Sequence, residues 1–503
     1  MARTVTVAIV GAGIGGIAAA IALQREGIDD VVLFERADRV GGTWRANTYP
    51  GLACDVPSHL YSYSFAPNPD WSRRFSPGPE IRDYVEGVAE RFGVLDKVRF
   101  GAEVRRADWD DEAGCWQLEL AGGERHRADV VITACGQLSR PAIPSLPGLE
   151  TFGGTMFHSA HWAHHGGLAG KRVACIGTGA SAIQFVPEVA GEAAKMTVFQ
   201  RSAPWVLRKY DRAYPDRVRA LHARRPLLPK LWRLGFTLWM ESIVPVFTGR
   251  PHWIARASSR FYSALSSFNR FTQLGGNVRL YRATRPDYPI GCKRILITAD
   301  WYPALRRPNV ELVTSGIREI TADGVVTDDG RQHPADAIVF GTGFAATEFL
   351  TPMEVAGRGG RSLTEAWADG AEAYMGITVK GFPNLFLLYG PNTNHGTGSA
   401  IAMLEAEAGY TAQAVRALAD GRAQCLEVRA EAHDAFQAEL AERMPDTVWT
   451  TCSSWYVTAT GRVTNNWPGS PAEYHRRVRR FDIENYMTHA PVIADAGLVE
   501  SPG

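Results

Sequence analysis

Apolar residues along this chain gather in short continuous runs, and many of the glycines fall in short clusters just after them. Residues 5–10 read VTVAIV, the length and β-branched content of a buried strand. After the turn GAGIGG, residues 17–27 read IAAAIALQREG, a strong helix former stopped by Gly27, and a second run at 31–34 ends in Glu35. The order repeats further on: RVACIG at 172–177, GTGASA at 177–182, then TVFQ at 197–200 just before Arg201. Strands are also expected at 336–340 (DAIVF) and 385–389 (LFLLY), the latter leading through GPN into a long helix at about 399–419. Residues 136–148, GQLSRPAIPSLPG, read as a linker, and 210–285 as Trp-, Arg- and Leu-rich helical sequence. Strands alternating with helices in this way predict an α/β fold.

The glycine turns carry chemistry. In G-x-G-x-x-G, Gly11 permits a tight turn, Gly13 lets the backbone approach a pyrophosphate, and Gly16 lets helix and strand pack closely. The helix N-terminus adds partial positive charge. Glu35 stands 19 residues after Gly16, where a carboxylate accepts hydrogen bonds from a ribose hydroxyl. In the second unit, Gly177, Thr178, Gly179 and Ser181 form the turn, and Arg201 stands where the acid stood before, with Ser202 as a further donor. A guanidinium binds a 2′-phosphate that a carboxylate would repel. Two such turns in one chain point to a two-nucleotide oxidoreductase with FAD at the first and NADPH at the second.

Composition narrows this further. Fifty-four basic residues against 53 acidic ones give a net charge of +1, which argues against a nucleic-acid binder. No apolar run is long enough to span a membrane; the nearest, 234–247, is broken by Glu241 and Pro245. The N-terminus lacks a signal-peptide pattern, and seven scattered cysteines without a C-x-x-C pair read as reduced thiols, so a cytoplasmic protein is expected. The basic cluster HRRVRR at 475–480 reads as a solvated face.

Several further segments resemble a known family. GGTW at 41–44, YPGLACDV at 49–56, YSYSF at 61–65, YPIGCKR at 288–294, DAIVFGTGF at 336–344, FPNLFLLYGPN at 382–392 and SSWY at 453–456 accompany FGGTMFHSAHW at 152–162. The last fits F-x-G-x-x-x-H-x-x-x-W through Phe152, Gly154, His158 and Trp162, with Ala163 where the family usually has Pro or Asp. Together they resemble a type I Baeyer–Villiger monooxygenase of the flavin-containing monooxygenase superfamily, from Val5 to about Tyr486. The resemblance implies two Rossmann-like dinucleotide-binding domains, for FAD and NADP, with a helical insertion. The FAD domain would occupy residues 1–140, the NADP domain 150–333 with its insert at about 210–285, and a second part of the FAD domain 334–503.

It also implies a reaction. A ketone, O₂ and NADPH would give an ester or lactone through a C4a-peroxyflavin, with Arg294 as the fixed cation beside the flavin and Asp55 holding it in place. Lys293 would help to hold NADP. Gly42, Thr43, Trp44 and Tyr61 resemble FAD contacts, Val104 a backbone contact to adenine, and Trp455 a residue closing over NADP and substrate. His158 is expected at an interdomain hinge rather than as a general base. No metal-ligand spacing emerges, although four histidines lie close together at 158–165. The alternative is a flavin monooxygenase that oxidises nitrogen or sulfur through hydroperoxyflavin, which has no need of Arg294. Which ketone is used, and the oligomeric state, are not legible.

Overall fold

The computed structural model describes residues 4–165 and 167–488. Residues 1–3 and 489–503 of the expected first and third segments lie outside the described residues. Two five-stranded parallel sheets form the frame. In the first, Val7–Val10 pairs with Val31–Glu35 on one side and Val130–Thr133 on the other, with Val98–Phe100 and Leu385–Leu387 at the edges. Its central strands are buried on both faces, which is why they read as unbroken apolar runs. Helix Ile14–Arg25 packs against helix Ala400–Ala419, and the two share one core cluster with the sheet.

The second sheet runs in the order Val310–Val313, Lys195–Phe199, Arg172–Ile176, Ala337–Phe340, Thr155–His158. This corrects the expected boundary at residue 334. Ala337–Phe340 pairs in register with Arg172–Ile176 and completes the second domain, and the chain returns to the first only afterwards. A βα repeat needs this strand to cover the far side of Arg172–Ile176, a requirement invisible to local pattern.

Two segments join the domains, and they run side by side. Pro141 and Phe344 form an antiparallel bridge; Ala142 N–H donates to Gly343 (2.9 Å), Ala345 N–H to Arg140 (3.0 Å) and the Thr342 hydroxyl to Ala142 (2.6 Å).

The insert is helical as expected: Asp216–Arg224, Leu227–Thr248, His252–Leu274 and Val278–Ala283. Its ends are pinned by the parallel pair Val206–Arg208 and Leu296–Thr298. Val104 begins a strand, Val104–Asp110, in a four-stranded sheet against the first domain.

Two further expectations are corrected. Cys292 and Cys452 are joined in a disulfide across 160 residues of sequence, while the other five cysteines are free. Folding brings together positions that spacing alone gives no reason to pair. Within 475–480, Arg476, Arg479 and Arg480 are exposed as expected, but Arg477 is partly buried: it lies over the Trp467 ring and pairs with Glu439 and Glu473, which also hold Arg443.

Candidate active site

The C-terminal ends of both parallel sheets open into one cavity of about 1280 Å³. On the first side, a Cβ on Gly16 would lie 1.9 Å from the Gly11 carbonyl oxygen, so only glycine lets helix Ile14–Arg25 sit this close to its strand. That helix has no side-chain cap at Gly13, and its first turn faces the cavity. Gly42 crosses Gly13 so closely that a Cβ there would meet the Gly13 Cα at 3.0 Å. Thr43 and Trp44 follow in the cavity wall, and the Trp44 indole N–H donates to the Tyr61 hydroxyl (3.0 Å). Glu35 is buried at the end of its strand. Its carboxylate accepts the backbone N–H groups of Ala12 (2.9 Å) and Ala37 (3.0 Å) and so braces the glycine turn.

On the second side, Gly177 has φ +108°, and a Cβ would meet the Gly341 carbonyl oxygen at 2.5 Å. Thr178, Gly179 and Ser181 continue along the wall, and the Thr178 hydroxyl donates to the Ser202 carbonyl (3.2 Å). Arg201, Ser202 and Lys293 stand beside them. The Lys293 ammonium donates to the Ser202 hydroxyl (3.0 Å) and lies 4.5 Å from the Tyr288 ring centre. Burial, and then the nearby Arg201 charge, lower the Lys293 pKa. Among the described residues neither cation has a carboxylate within ion-pair distance. Two cations and a hydroxyl at the end of an α/β turn are an arrangement chemically suited to an anion.

Arg294 lies between the two sides. Its guanidinium grips Asp55 through Nη2 (2.6 and 2.8 Å) and Nε (3.2 Å). The Asp55 charge raises the Arg294 pKa against the opposing effect of burial. Burial alone would raise the Asp55 carboxyl; the Arg294 charge and hydrogen bonds outweigh it and hold the group below its usual range. The arginine therefore carries a permanent charge, aimed by its partner, with 44% of its side-chain surface still accessible. Tyr389 and Tyr456 flank it. Trp455 is on the opposing loop, ring to ring with Tyr456 at 4.2 Å. The disulfide ties that loop to the segment carrying Lys293 and Arg294.

Of the expected site residues, Gly13, Gly42, Thr43, Trp44, Asp55 and Tyr61 line the cavity from the first domain. Gly177, Thr178, Gly179, Ser181, Arg201 and Ser202 line it from the second, joined by Lys293, Arg294 and Trp455. Gly11, Gly16 and Glu35 lie just behind the wall. Val104 is buried in the core cluster that also holds Phe34 and is not part of the cavity wall. His158 is buried away from the cavity, edge-on to Phe344 (5.6 Å) in the second linker, and its Nδ1 accepts from Ala160 N–H (3.1 Å). Burial lowers its pKa, so it is neutral at physiological pH.

Sequence reasoning missed Tyr389, whose φ of +60° is unusual for a side-chain-bearing residue. Its N–H donates to Glu407 (2.7 Å), its carbonyl accepts from Gln137 (3.0 Å) and its hydroxyl donates to Asn394 (2.7 Å). The strand running straight into G-P-N was the available signal.

Two facing dinucleotide turns with a carboxylate-aimed arginine between them define a two-nucleotide flavoprotein, and comparison with known proteins agrees. Residues 4–240 match the flavin-binding monooxygenase-like family. A Baeyer–Villiger monooxygenase of Streptomyces coelicolor is 46% identical over 98% of this chain and 94% of its own length. One from Pseudomonas aeruginosa is 42% identical over 98% and 93%. The structure of an oxidised steroid monooxygenase bound to NADP superposes with a TM-score of 0.83 at 31% identity, covering 94% of this chain and 97% of that one. The chain belongs to the Baeyer–Villiger monooxygenases and is a flavoprotein monooxygenase of that type.

Proposed function

We propose that the protein inserts one oxygen atom of O₂ next to a ketone carbonyl, using FAD at the first glycine turn and NADPH at the second. Overall, ketone, O₂, NADPH and a proton give ester or lactone, water and NADP⁺. Two observations support this cofactor fit. The uncapped helix at Gly13 and the glycine crossing at Gly42 leave a backbone cradle that a single Cβ would fill. Arg201, Ser202 and Lys293 supply cations and a donor for a 2′-phosphate. Bound FAD, reduced by NADPH, supplies the activation of oxygen.

The chain's own residues do the rest. Attack on a ketone turns its carbonyl oxygen into an anion, and Arg294 is the preorganised charge that stabilises it. Asp55 fixes the guanidinium plane, so little reorganisation is needed as charge develops. Trp44 and Tyr61 hold each other edge-on at 5.5 Å and shape the wall on the first-domain side. Apolar side chains from the insert, Met240, Ile243 and Phe247 among them, line the cavity on that side.

The carrying observation is the Arg294–Asp55 pair in the cavity between the two turns. Arg294→Ala is expected to form ester about 10² to 10³ more slowly, while NADPH is still consumed and hydrogen peroxide appears. Product and peroxide yields with a panel of cyclic, linear and aryl ketones measure this. Ester formation at the wild-type rate, or oxidation of amines and sulfides in place of ketones, would replace this reading with nitrogen or sulfur oxygenation.

A further inference from the structure

Large apolar side chains are exposed very unevenly. Of the 18 exposed ones among the described residues, 14 lie between Tyr210 and Val278, in and beside the helical insert. They are patterned. Leu227, Leu231, Leu234 and Leu238 repeat at the i, i+4, i+7, i+11 spacing of one helix face, each more than half exposed. On the adjoining helix, Phe261, Leu265 and Phe268 make a second stripe, and Trp253 near its start is 73% exposed. The two helices pack against each other.

Charge is as uneven. Residues 210–285 hold fourteen basic and three acidic residues, a net +11. The rest of the chain holds 40 basic and 50 acidic residues, a net −10, so the near-zero total conceals a strong asymmetry. Several of the cations border the apolar stripes. Lys230 precedes Leu231, Arg260 precedes Phe261, and Arg256 lies one turn from Trp253; all are exposed. None of the three has a carboxylate partner within ion-pair distance among the described residues.

We infer that the helical insert is a peripheral docking surface for an anionic lipid bilayer. Exposed leucine and aromatic stripes bordered by unpaired Lys and Arg are what an interfacial helix needs: the apolar face enters the acyl boundary and the cations meet lipid phosphates. Tryptophan at the rim suits the headgroup layer. None of the described helices is long and apolar enough to cross a membrane, so the insert lies on the bilayer and does not span it. Charge decides against a second copy of the chain as occupant, because self-association would bring together two surfaces edged by the same unpaired cations, Lys230, Arg256 and Arg260. The surface also has a use. Trp239 is exposed beside the leucine stripe and lines the reaction cavity, so an apolar substrate dissolved in the bilayer would meet the cavity wall directly. The docking surface itself does not depend on which reaction the cavity performs.

The test uses the full-length, FAD-loaded protein sedimented with vesicles of phosphatidylcholine alone or of equal parts phosphatidylcholine and phosphatidylglycerol. Binding is expected to be at least about tenfold tighter to the phosphatidylglycerol vesicles and to weaken as salt is raised. The double variants Leu231→Ser with Phe268→Ser, and Arg256→Glu with Arg260→Glu, should each lose about tenfold or more in binding. Both should keep their flavin and their NADPH consumption in vesicle-free solution. Absence of binding, or equal binding to both vesicle types, would overturn the inference. So would light scattering that shows a dimer dissolved by Leu231→Ser with Phe268→Ser, since a second copy would then be the occupant.

Discussion

Arg201 and Arg294 are both cations in the same cavity, yet their environments assign them different work. Arg294 is committed to Asp55, whereas Arg201 is exposed and shares its stretch of cavity wall with Lys293 and Ser202. Arg201→Ala should therefore weaken NADPH binding by about 1.5–3 kcal/mol, roughly tenfold to more than a hundredfold, and leave NADH almost unchanged. Paired coenzyme titrations of flavin reduction check this. Glu407 behaves differently again. It is fully buried, and burial pushes its carboxyl up to about 8 while it accepts the Tyr389 N–H. A carboxyl whose folded pKa lies above its unfolded value holds its proton more tightly when folded. Stability should therefore fall as pH rises from about 4 to about 8, and level off beyond. Glu407→Gln keeps an acceptor for Tyr389 without the ionisation. Its melting temperature relative to wild type should rise across that window, by the equivalent of a few kcal/mol at about pH 8. A difference independent of pH would mean that Glu407 is not the titrating group. The glycine turns, and the places of Glu35 and Arg201 at their strand ends, were legible in the sequence because each answers a local demand at a set spacing; that Glu35 braces Ala12 and Ala37 was not. The Arg294–Asp55 pair was legible only through resemblance, since 239 residues separate its members. Glu407 was not legible at all: a polar residue on an alanine-rich helix looks solvent-facing until the tyrosine amide it serves has been placed.

The same limit operates on elements. Strand, turn and helix in each dinucleotide unit could be read directly, because apolar runs buried on both faces are unambiguous when glycine turns bracket them. The insert was equally clear from its helical composition. The strand Ala337–Phe340 was recognised as a strand and assigned to the wrong sheet, because its apolar face carries no mark of which neighbour it joins. The first turn makes the sharpest prediction at this scale. An alanine at position 16 would put its methyl 1.9 Å from the Gly11 carbonyl, a distance no rotamer relieves, since the methyl has none. Helix Ile14–Arg25 must then tilt away and withdraw its N-terminus from the cavity. Gly16→Ala should fold with its FAD affinity reduced by at least about tenfold, as one lost charge-assisted contact alone would require. The flavin-to-protein absorbance ratio after purification reports this. The matching position of the second turn is Ala182, whose methyl is accommodated because Gly341 faces it.

At the scale of the whole molecule, the two halves of the cavity belong to different domains, so its geometry depends on what joins them. His158 packs on the second linker and is held neutral by burial. His158→Ala should retain FAD and lower coupled turnover several-fold without changing the shape of the pH–rate profile, because no ionisation of its own is removed. Steady-state turnover across pH, with bound flavin measured alongside, separates this from a general base, whose loss would erase one limb of the profile. Wild-type turnover would leave the histidine without a part in the reaction. The linkers carry a mechanical consequence. One strand between two bodies is a swivel, free to twist as well as bend. Two strands stitched edge to edge at Pro141 and Phe344 make a strap, stiff to torsion and pliant only across its flat side. Any swing of one half against the other would therefore be held to a single angle, like a gate on two pins, and each return would bring the same faces of the cleft back into register.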